Sequence, residues 1–148
     1  MPEHKQILLV ANRTAISTPL LEAVRTRAML GPSRFHLLVP ATPRGLHRLV
    51  DPEAAGQEEA AGQLEAALPR LSEAAGSEVG GEVGDSDPVA AISDALHAGH
   101  FDEIILSTLP RRVSGWLRVD LPRKAGHFGL PVTHVEADAS EQAPTRAA

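Results

Sequence analysis

The chain has 148 residues, of which 43% are hydrophobic and 22% are charged, and its net charge is −5. These values favour one globular domain with a buried core. The absence of cysteine excludes disulfides, thiolate metal sites and cysteine nucleophiles. The scarcity of aromatic residues, with three Phe, one Trp and no Tyr, argues against recognition of single-stranded nucleic acid by base stacking. No apolar run is long enough to span a membrane, so we expect a soluble cytoplasmic protein.

The charges are unevenly distributed along the sequence. Residues 51–107 are strongly acidic and contain one basic residue, Arg70. Basic residues concentrate in residues 1–50 and 108–127. The acidic block is typical of solvated helix faces. The basic blocks are of more interest, because folding could bring them together.

The first half of the chain alternates strand and helix patterns. Residues 6–11 form a continuous apolar run, which predicts a central strand buried on both faces. Ser17, Thr18 and Pro19 predict a helix start that ends before Gly31-Pro32. Residues 35–39 predict a second strand, closed by Pro40. The alternation indicates a parallel sheet.

The same alternation continues after the loop of residues 41–52. Residues 53–75 predict a helix that Pro69 should kink. Residues 78–83 are the poorest strand, because they contain two glycines, and we expect them at the sheet edge. Asp87-Pro88 predicts the start of a third helix, with Val89, Ile92 and Leu96 as its buried stripe.

The last third completes the pattern. Residues 103–106 predict strand four, residues 113–128 a broken helical region and residues 131–135 strand five. Five strands joined by right-handed crossovers predict a three-layer α/β sandwich whose five-stranded parallel sheet has the flavodoxin-like order 3-2-1-4-5. We expect a single domain over residues 1–136 and a disordered tail over 137–148.

Several segments together resemble the universal stress protein family. Residues 7–14 are similar to its first strand, and Gly84-Asp85, followed by a helix bearing Ile92, to its turn after strand three. Residues 102–107 resemble strand four, and residues 130–135 resemble the closing strand. The resemblance covers about residues 6–136. It implies a Rossmann-like domain, a role in stress response, nucleotide binding and a homodimer formed through the edge of strand five.

The family's ATP motif is not present in this sequence. Many members bind ATP through Gly-x2-Gly-x9-Gly-Ser/Thr after strand four, and here those positions hold Ser107, Pro110, Asp120 and Leu121. The family's Asp after strand one is replaced by Asn12. Glycines let backbone N–H groups close around phosphate, and Pro110 lacks an N–H. No cofactor is certain; ATP and AMP are the candidates that the resemblance implies, and we expect no ATP binding in the family's usual manner.

The candidate ligand site lies where the strands end, at the crevice between strands one and four. The arginines that follow strands one, two and four, including Arg44, should emerge at this edge, and we expect an anion beside Arg111, Arg112 and Ser114. The candidate ligand-binding residues are Asn12, Arg13, Thr14, Pro40, Gly84, Asp85, Ser107, Thr108, Arg111, Arg112 and Ser114.

Each candidate also has a structural interpretation. Asn12 either binds a ligand or caps a turn, and Asp85 either meets a ribose or metal or caps the third helix. The Arg111-Arg112 loop either holds an anion or is a solvated surface. Trp116 either packs in the core or stacks on a base. His97 and His100 lie near Asp102, but no further metal ligands are evident, so we predict no metal site.

The sequence lacks the motifs of related folds and of common enzymes. Asn12-Arg13 lacks the acidic pair of a response-regulator receiver, residues 12–18 lack a flavodoxin's glycine, and no Gly-x-Ser-x-Gly elbow is present. No base and nucleophile are paired in the sequence, so an enzyme is the third hypothesis. The first is a universal stress protein-like regulatory module that senses a nucleotide or another small phosphorylated ligand. The alternative is a ligand-free stress-response protein that acts through partner contacts.

Overall fold

The computed structural model describes residues 4–41 and 52–137. Five parallel strands form one sheet in the order β3-β2-β1-β4-β5, which confirms the predicted topology. The strands are β1 (Lys5–Val10), β2 (Ser33–Pro40), β3 (Gly80–Gly84), β4 (Glu103–Thr108) and β5 (Val132–Glu136). β3 and β5 form the two edges, as expected for a glycine-rich strand and for the last strand of this order.

Helices cover both faces of the sheet. They are α1 (Thr18–Leu30), α2 (Pro52–Ala75), α3 (Pro88–Ala98), α4 (Gly115–Arg118) and α5 (Leu121–Gly126). The predicted starts of α1 and α3 are confirmed, because the side chains of Ser17 and Asp87 accept hydrogen bonds from Leu20 N and Val89 N. α2 continues through Pro69. None of the helices in the described part of the chain combines the length and the apolar character needed to cross a membrane.

Two apolar layers hold the sheet between its helices. Residues Ile7 and Leu9 of β1 pack towards α1 and α2, whereas Leu8 and Val10 pack towards α3 and α5. All four side chains are fully buried. Because both faces of β1 are covered, its sequence is continuously apolar rather than alternating.

The packing of α3 differs from the predicted stripe. Ile92 is fully buried as expected, but its buried neighbours are Ala91 and Ala95, whereas Val89 and Leu96 are only partly buried. Small residues on this face let the helix approach the sheet closely. An added Cβ on Gly84 would lie 2.9 Å from the Ala91 Cβ.

Two contacts fix the ends of β4. Arg27 of α1 binds Glu103 through both carboxylate oxygens, at 2.9 Å from Nε and 2.7 Å from Nη2. At the other end, Ala137 N donates to the Thr108 carbonyl at 2.9 Å, and Ala137 is buried. The predicted disordered tail therefore does not include Ala137, and its remaining residues lie outside the described ranges.

Candidate functional site

The candidate site lies at the carboxyl ends of β1 and β4, from which the chain continues to opposite faces of the sheet. After β1 it continues into α1 on one face of the sheet, and after β4 it continues towards α4 and α5 on the other. This divergence leaves a cleft of about 400 Å³, here called the switch-point cleft. It is lined by Asn12, Arg13, Ser86, Pro88, Thr108, Leu109, Val113, Ser114, Gly115, Trp116 and Val119.

A network of turns shapes the β1 wall of this cleft. The Asn12 carbonyl accepts from Ala15 N at 3.2 Å, and its side-chain oxygen accepts from Arg13 N. Asn12 therefore caps the turn and also lines the cleft, so its structural role is compatible with the predicted ligand-binding role. The same turn leaves the Arg13 side chain exposed at the mouth of the cleft.

Arg13 supplies the charge of the site. It is the one charged side chain among the described residues that line the cleft. No ion pair in the described ranges joins it to a carboxylate. A guanidinium that no described carboxylate pairs, lying beside amide and hydroxyl groups, favours an anionic ligand, because guanidinium donors match phosphate and carboxylate oxygens.

Most of the predicted hydroxyl ligands are already hydrogen-bonded within the protein. The Thr14 and Ser107 hydroxyl oxygens lie 2.6 Å apart, and both side chains are buried below the cleft wall. Ser114 Oγ accepts from Leu117 N at 3.0 Å and so caps α4. These three hydroxyls join strands and loops to each other. Thr14 and Ser107 are absent from the cleft lining, whereas Ser114 lines it and keeps its O–H free to donate.

Thr108 bonds across the sheet to β5. Its hydroxyl lies 2.8 Å from His134 Nε2. Partial burial lowers the pKa of His134; the nearby Glu136 carboxylate opposes this shift and Arg111 adds to it. A lowered pKa favours a neutral imidazole at neutral pH, which is the form that needs least solvation beside a buried hydroxyl.

The remaining predicted residues lie outside the cleft lining. Pro40 is buried at the end of β2, and Gly84 packs against α3. The Asp85 carboxylate accepts from Asp87 N at 2.8 Å, so it caps the turn before α3, and Asp87 rather than Asp85 caps the helix. Arg111 and Arg112 are exposed on the loop beside the cleft. Arg44 lies outside the described residues.

Seven lining residues were not among the predicted ligands, and two of them, Trp116 and Ser86, have side chains suited to a nucleotide. Trp116 is partly buried against the α3 layer and also lines the cleft, so its core role and its access to a ligand coexist. Ser86 lies in the turn between β3 and α3. Its position beside Asp85 in a polar turn was the available signal, because loops after parallel strands line such clefts.

A larger groove of about 740 Å³ lies at the other end of the strands, where β1, β2 and β4 begin. Two of its histidines are bound to carboxylates: His36 Nε2 lies 2.9 Å from Glu82, and His100 Nε2 lies 3.0 Å from Asp102, which lies outside the lining. Across residues 4–41 and 52–137, no three His, Asp or Glu side chains are grouped to hold a metal ion. The switch-point cleft, at the carboxyl ends of the strands, is therefore a better candidate for a functional site than this groove.

Comparison with known proteins bears on the fold. No protein-family model matches the sequence, and no curated protein matches it. Among solved structures, a universal stress protein family member from Burkholderia pseudomallei has a TM-score of 0.62 and 17% sequence identity. That alignment covers 90% of this chain and 98% of the other. The chain has the universal stress protein fold.

Two other structures with the universal stress protein fold carry ligands. A family protein from Arabidopsis thaliana with AMP bound has a TM-score of 0.60 and 12% identity, and the alignment covers 93% of this chain and 94% of that one. A universal stress protein in complex with cAMP has a TM-score of 0.59 and 14% identity, with coverage of 93% and 100%. Identities this low establish the shared fold and leave the ligand of this chain to be argued from its own residues.

Proposed function

We propose that this protein is a universal stress protein-like binding module for a nucleoside monophosphate or another small phosphorylated ligand. The observation that carries the proposal is the switch-point cleft, whose one charged lining residue in the described ranges is Arg13. The AMP and cAMP complexes of proteins with the same fold support a ligand of this class.

The polar groups of the cleft suit a compact phosphate better than an extended one. Arg13 offers a guanidinium, and Asn12 and Ser86 offer an amide and a hydroxyl. The glycine positions of the family's ATP motif hold Ser107, Pro110 and Asp120 in this sequence, so the loop after β4 cannot fold closely around a triphosphate. One phosphate at Arg13 requires no such loop.

This difference predicts a preference between two nucleotides. We expect ATP to bind with a dissociation constant above roughly 100 μM, and AMP to bind more tightly than ATP. Titration calorimetry of the purified protein with each nucleotide measures the two affinities, and native mass spectrometry identifies any ligand that co-purifies. Low-micromolar ATP binding, or no detectable binding of AMP or any co-purified phosphorylated compound, would contradict the proposal.

The protein is also proposed to form a homodimer through β5. The Pro131 carbonyl accepts from Ile104 N, and Ala137 N donates to Thr108 O. Successive residues of a strand direct their backbone N–H and C=O groups to alternate sides. Because Pro131 and Ala137 face β4, the N–H groups of His134 and Glu136 face the open edge of the sheet. An unpaired edge of this kind favours pairing with a second copy.

A proline at this edge tests the dimer without disturbing the β4–β5 ladder. Light scattering should give twice the chain mass for the natural protein and for Glu136→Ala. Glu136→Pro should give the monomer mass, because its ring removes an outward N–H and blocks the edge. A monomer mass for the unmodified protein would show that β5 remains unpaired in solution.

The alternative, a ligand-free protein that acts through partner contacts, rests on a different surface. Met29 and Leu30, adjacent at the end of α1, have exposed fractions of 80% and 70%. Neighbouring exposed apolar side chains are found at contact sites. This alternative gains support if no phosphorylated compound co-purifies and AMP produces no heat on titration.

A further inference from the structure

A second cleft adjoins the first on the other side of the β1–α1 loop. Its volume is about 310 Å³, and it lies between that loop and α2; it is here called the α2 cleft. Ala15 and Ile16 form its loop wall, and Gly62, Gln63 and Ala66 form much of its helix wall. An added Cβ on Gly62 meets no atom within 4 Å, so the absence of a side chain there keeps the space open.

The α2 cleft contains one unsatisfied polar atom. Gln63 Oε1 is shielded from solvent and has no hydrogen-bond partner among the described residues. Glu59, the acidic residue of the lining, already has an interaction partner. A buried amide oxygen without a donor is destabilising, and rotation of the half-buried Gln63 side chain towards the cleft would let a ligand N–H supply the missing hydrogen bond. The apolar part of the lining, Ala15, Ile16 and Ala66, lies beside this amide oxygen, and such a surface suits a flat ring with an N–H or amino group, as in a nucleobase.

Arg13 and Asn12 form a wall common to both clefts. Both residues line the α2 cleft and also the switch-point cleft. Arg13 is the one cation among the described lining residues of either cleft. A phosphate held by Arg13 would therefore have space for a ring on each side. On the switch-point side, the partly buried Trp116 offers an aromatic surface for the second ring.

We propose that the two clefts form one extended site for a dinucleotide. Its phosphate binds Arg13, one base lies in the α2 cleft with an N–H directed to Gln63 Oε1, and the other base lies beside Trp116. This inference rests on the proposed function, because it assumes that Arg13 binds the phosphate of a nucleotide. It goes further in requiring a second ring subsite formed by α2.

Titration calorimetry with the linear dinucleotide pApA and with AMP tests the extended site. We expect pApA to bind at least tenfold more tightly than AMP, which corresponds to about 1.4 kcal/mol. If AMP binds and pApA binds no more tightly, the dinucleotide site is wrong and the proposed function stands. If neither nucleotide binds, the proposed function fails and the extended site fails with it.

A variant that fills the α2 cleft separates the two subsites. Gly62→Leu places a side chain in the open space and should lower pApA affinity at least tenfold while changing AMP affinity less than about twofold. Ala61→Leu adds the same side chain at the exposed neighbouring position of α2 and should change neither affinity. Thermal unfolding of both variants checks that α2 remains folded. Equal losses for pApA and AMP in Gly62→Leu, or no loss for either, would overturn the proposal.

Discussion

Arg13→Ala should weaken AMP binding about 10- to 150-fold, because a hydrogen bond to a charged group contributes about 1.5–3 kcal/mol. Titration calorimetry measures the loss. The side chain is exposed and has no ion-pair partner in the described ranges, so the free energy of unfolding should change by less than about 0.5 kcal/mol. Urea unfolding measures that second quantity and shows whether the binding loss is local.

The double variant Arg111→Ala/Arg112→Ala is the control for loss of positive charge near the cleft. It removes two exposed guanidinium groups from the loop beside the cleft, neither of which lines it. Solvent and salt screen charges at such positions, so we expect a smaller loss of AMP affinity than for Arg13→Ala. A larger loss in the double variant would place the anion on the Arg111-Arg112 loop, as the sequence alone predicts, and would contradict a phosphate site at Arg13.

Gly84→Ala should destabilise the fold by about 1–3 kcal/mol, because an added Cβ overpacks the contact between β3 and α3. The new Cβ would lie 2.8 Å from Leu38 Cδ1 and 2.9 Å from Ala91 Cβ. The leucine methyl lies at the end of a flexible side chain and can move. The Ala91 Cβ is fixed to the helix backbone, so α3 itself must shift. The free energy of unfolding in urea measures the effect.

Gly126→Ala is the corresponding control at a glycine without close neighbours. An added Cβ there meets no atom within 4 Å, and Gly126 is helical, so alanine should be neutral or stabilising by up to about 1 kcal/mol. If Gly84→Ala keeps full stability and loses AMP affinity instead, Gly84 serves the ligand rather than the packing of α3. That result would restore the role predicted for Gly84 from the sequence.

The fold could be predicted because each central element carries a local signal. The apolar run of β1, the hydroxyl and proline at the start of α1, and Asp87-Pro88 before α3 each encode one structural state over a few residues. The edge position of β3 followed from its glycines. The buried face of α3 was predicted less well, because close approach to Gly84 selects alanines over larger apolar residues, and that approach is a tertiary property.

The sequence predicts where the candidate site lies, but not which of its side chains are already hydrogen-bonded within the protein. Parallel topology brings the loops after β1 and β4 together, so Asn12, Arg13 and Thr108 were predictable lining residues. The pairing of Thr14 with Ser107 joins residues 93 positions apart, and no local pattern reveals that these hydroxyls satisfy each other. The contribution of Gln63 is likewise invisible in the sequence, since α2 is brought beside the β1 loop only by the fold.

The hydrogen bond between Ala137 N and the Thr108 carbonyl has a practical consequence for labelling this protein. It anchors Ala137 to a residue that lines the switch-point cleft, so a label joined directly after Ala137 starts at the carboxyl ends of the strands, where the cleft lies. β1 begins at Lys5, so the full length of this strand separates its first residue from the end where the cleft lies. A fluorophore or immobilisation handle on the amino-terminal side therefore keeps farther from the ligand, and surface-based binding assays should use that end.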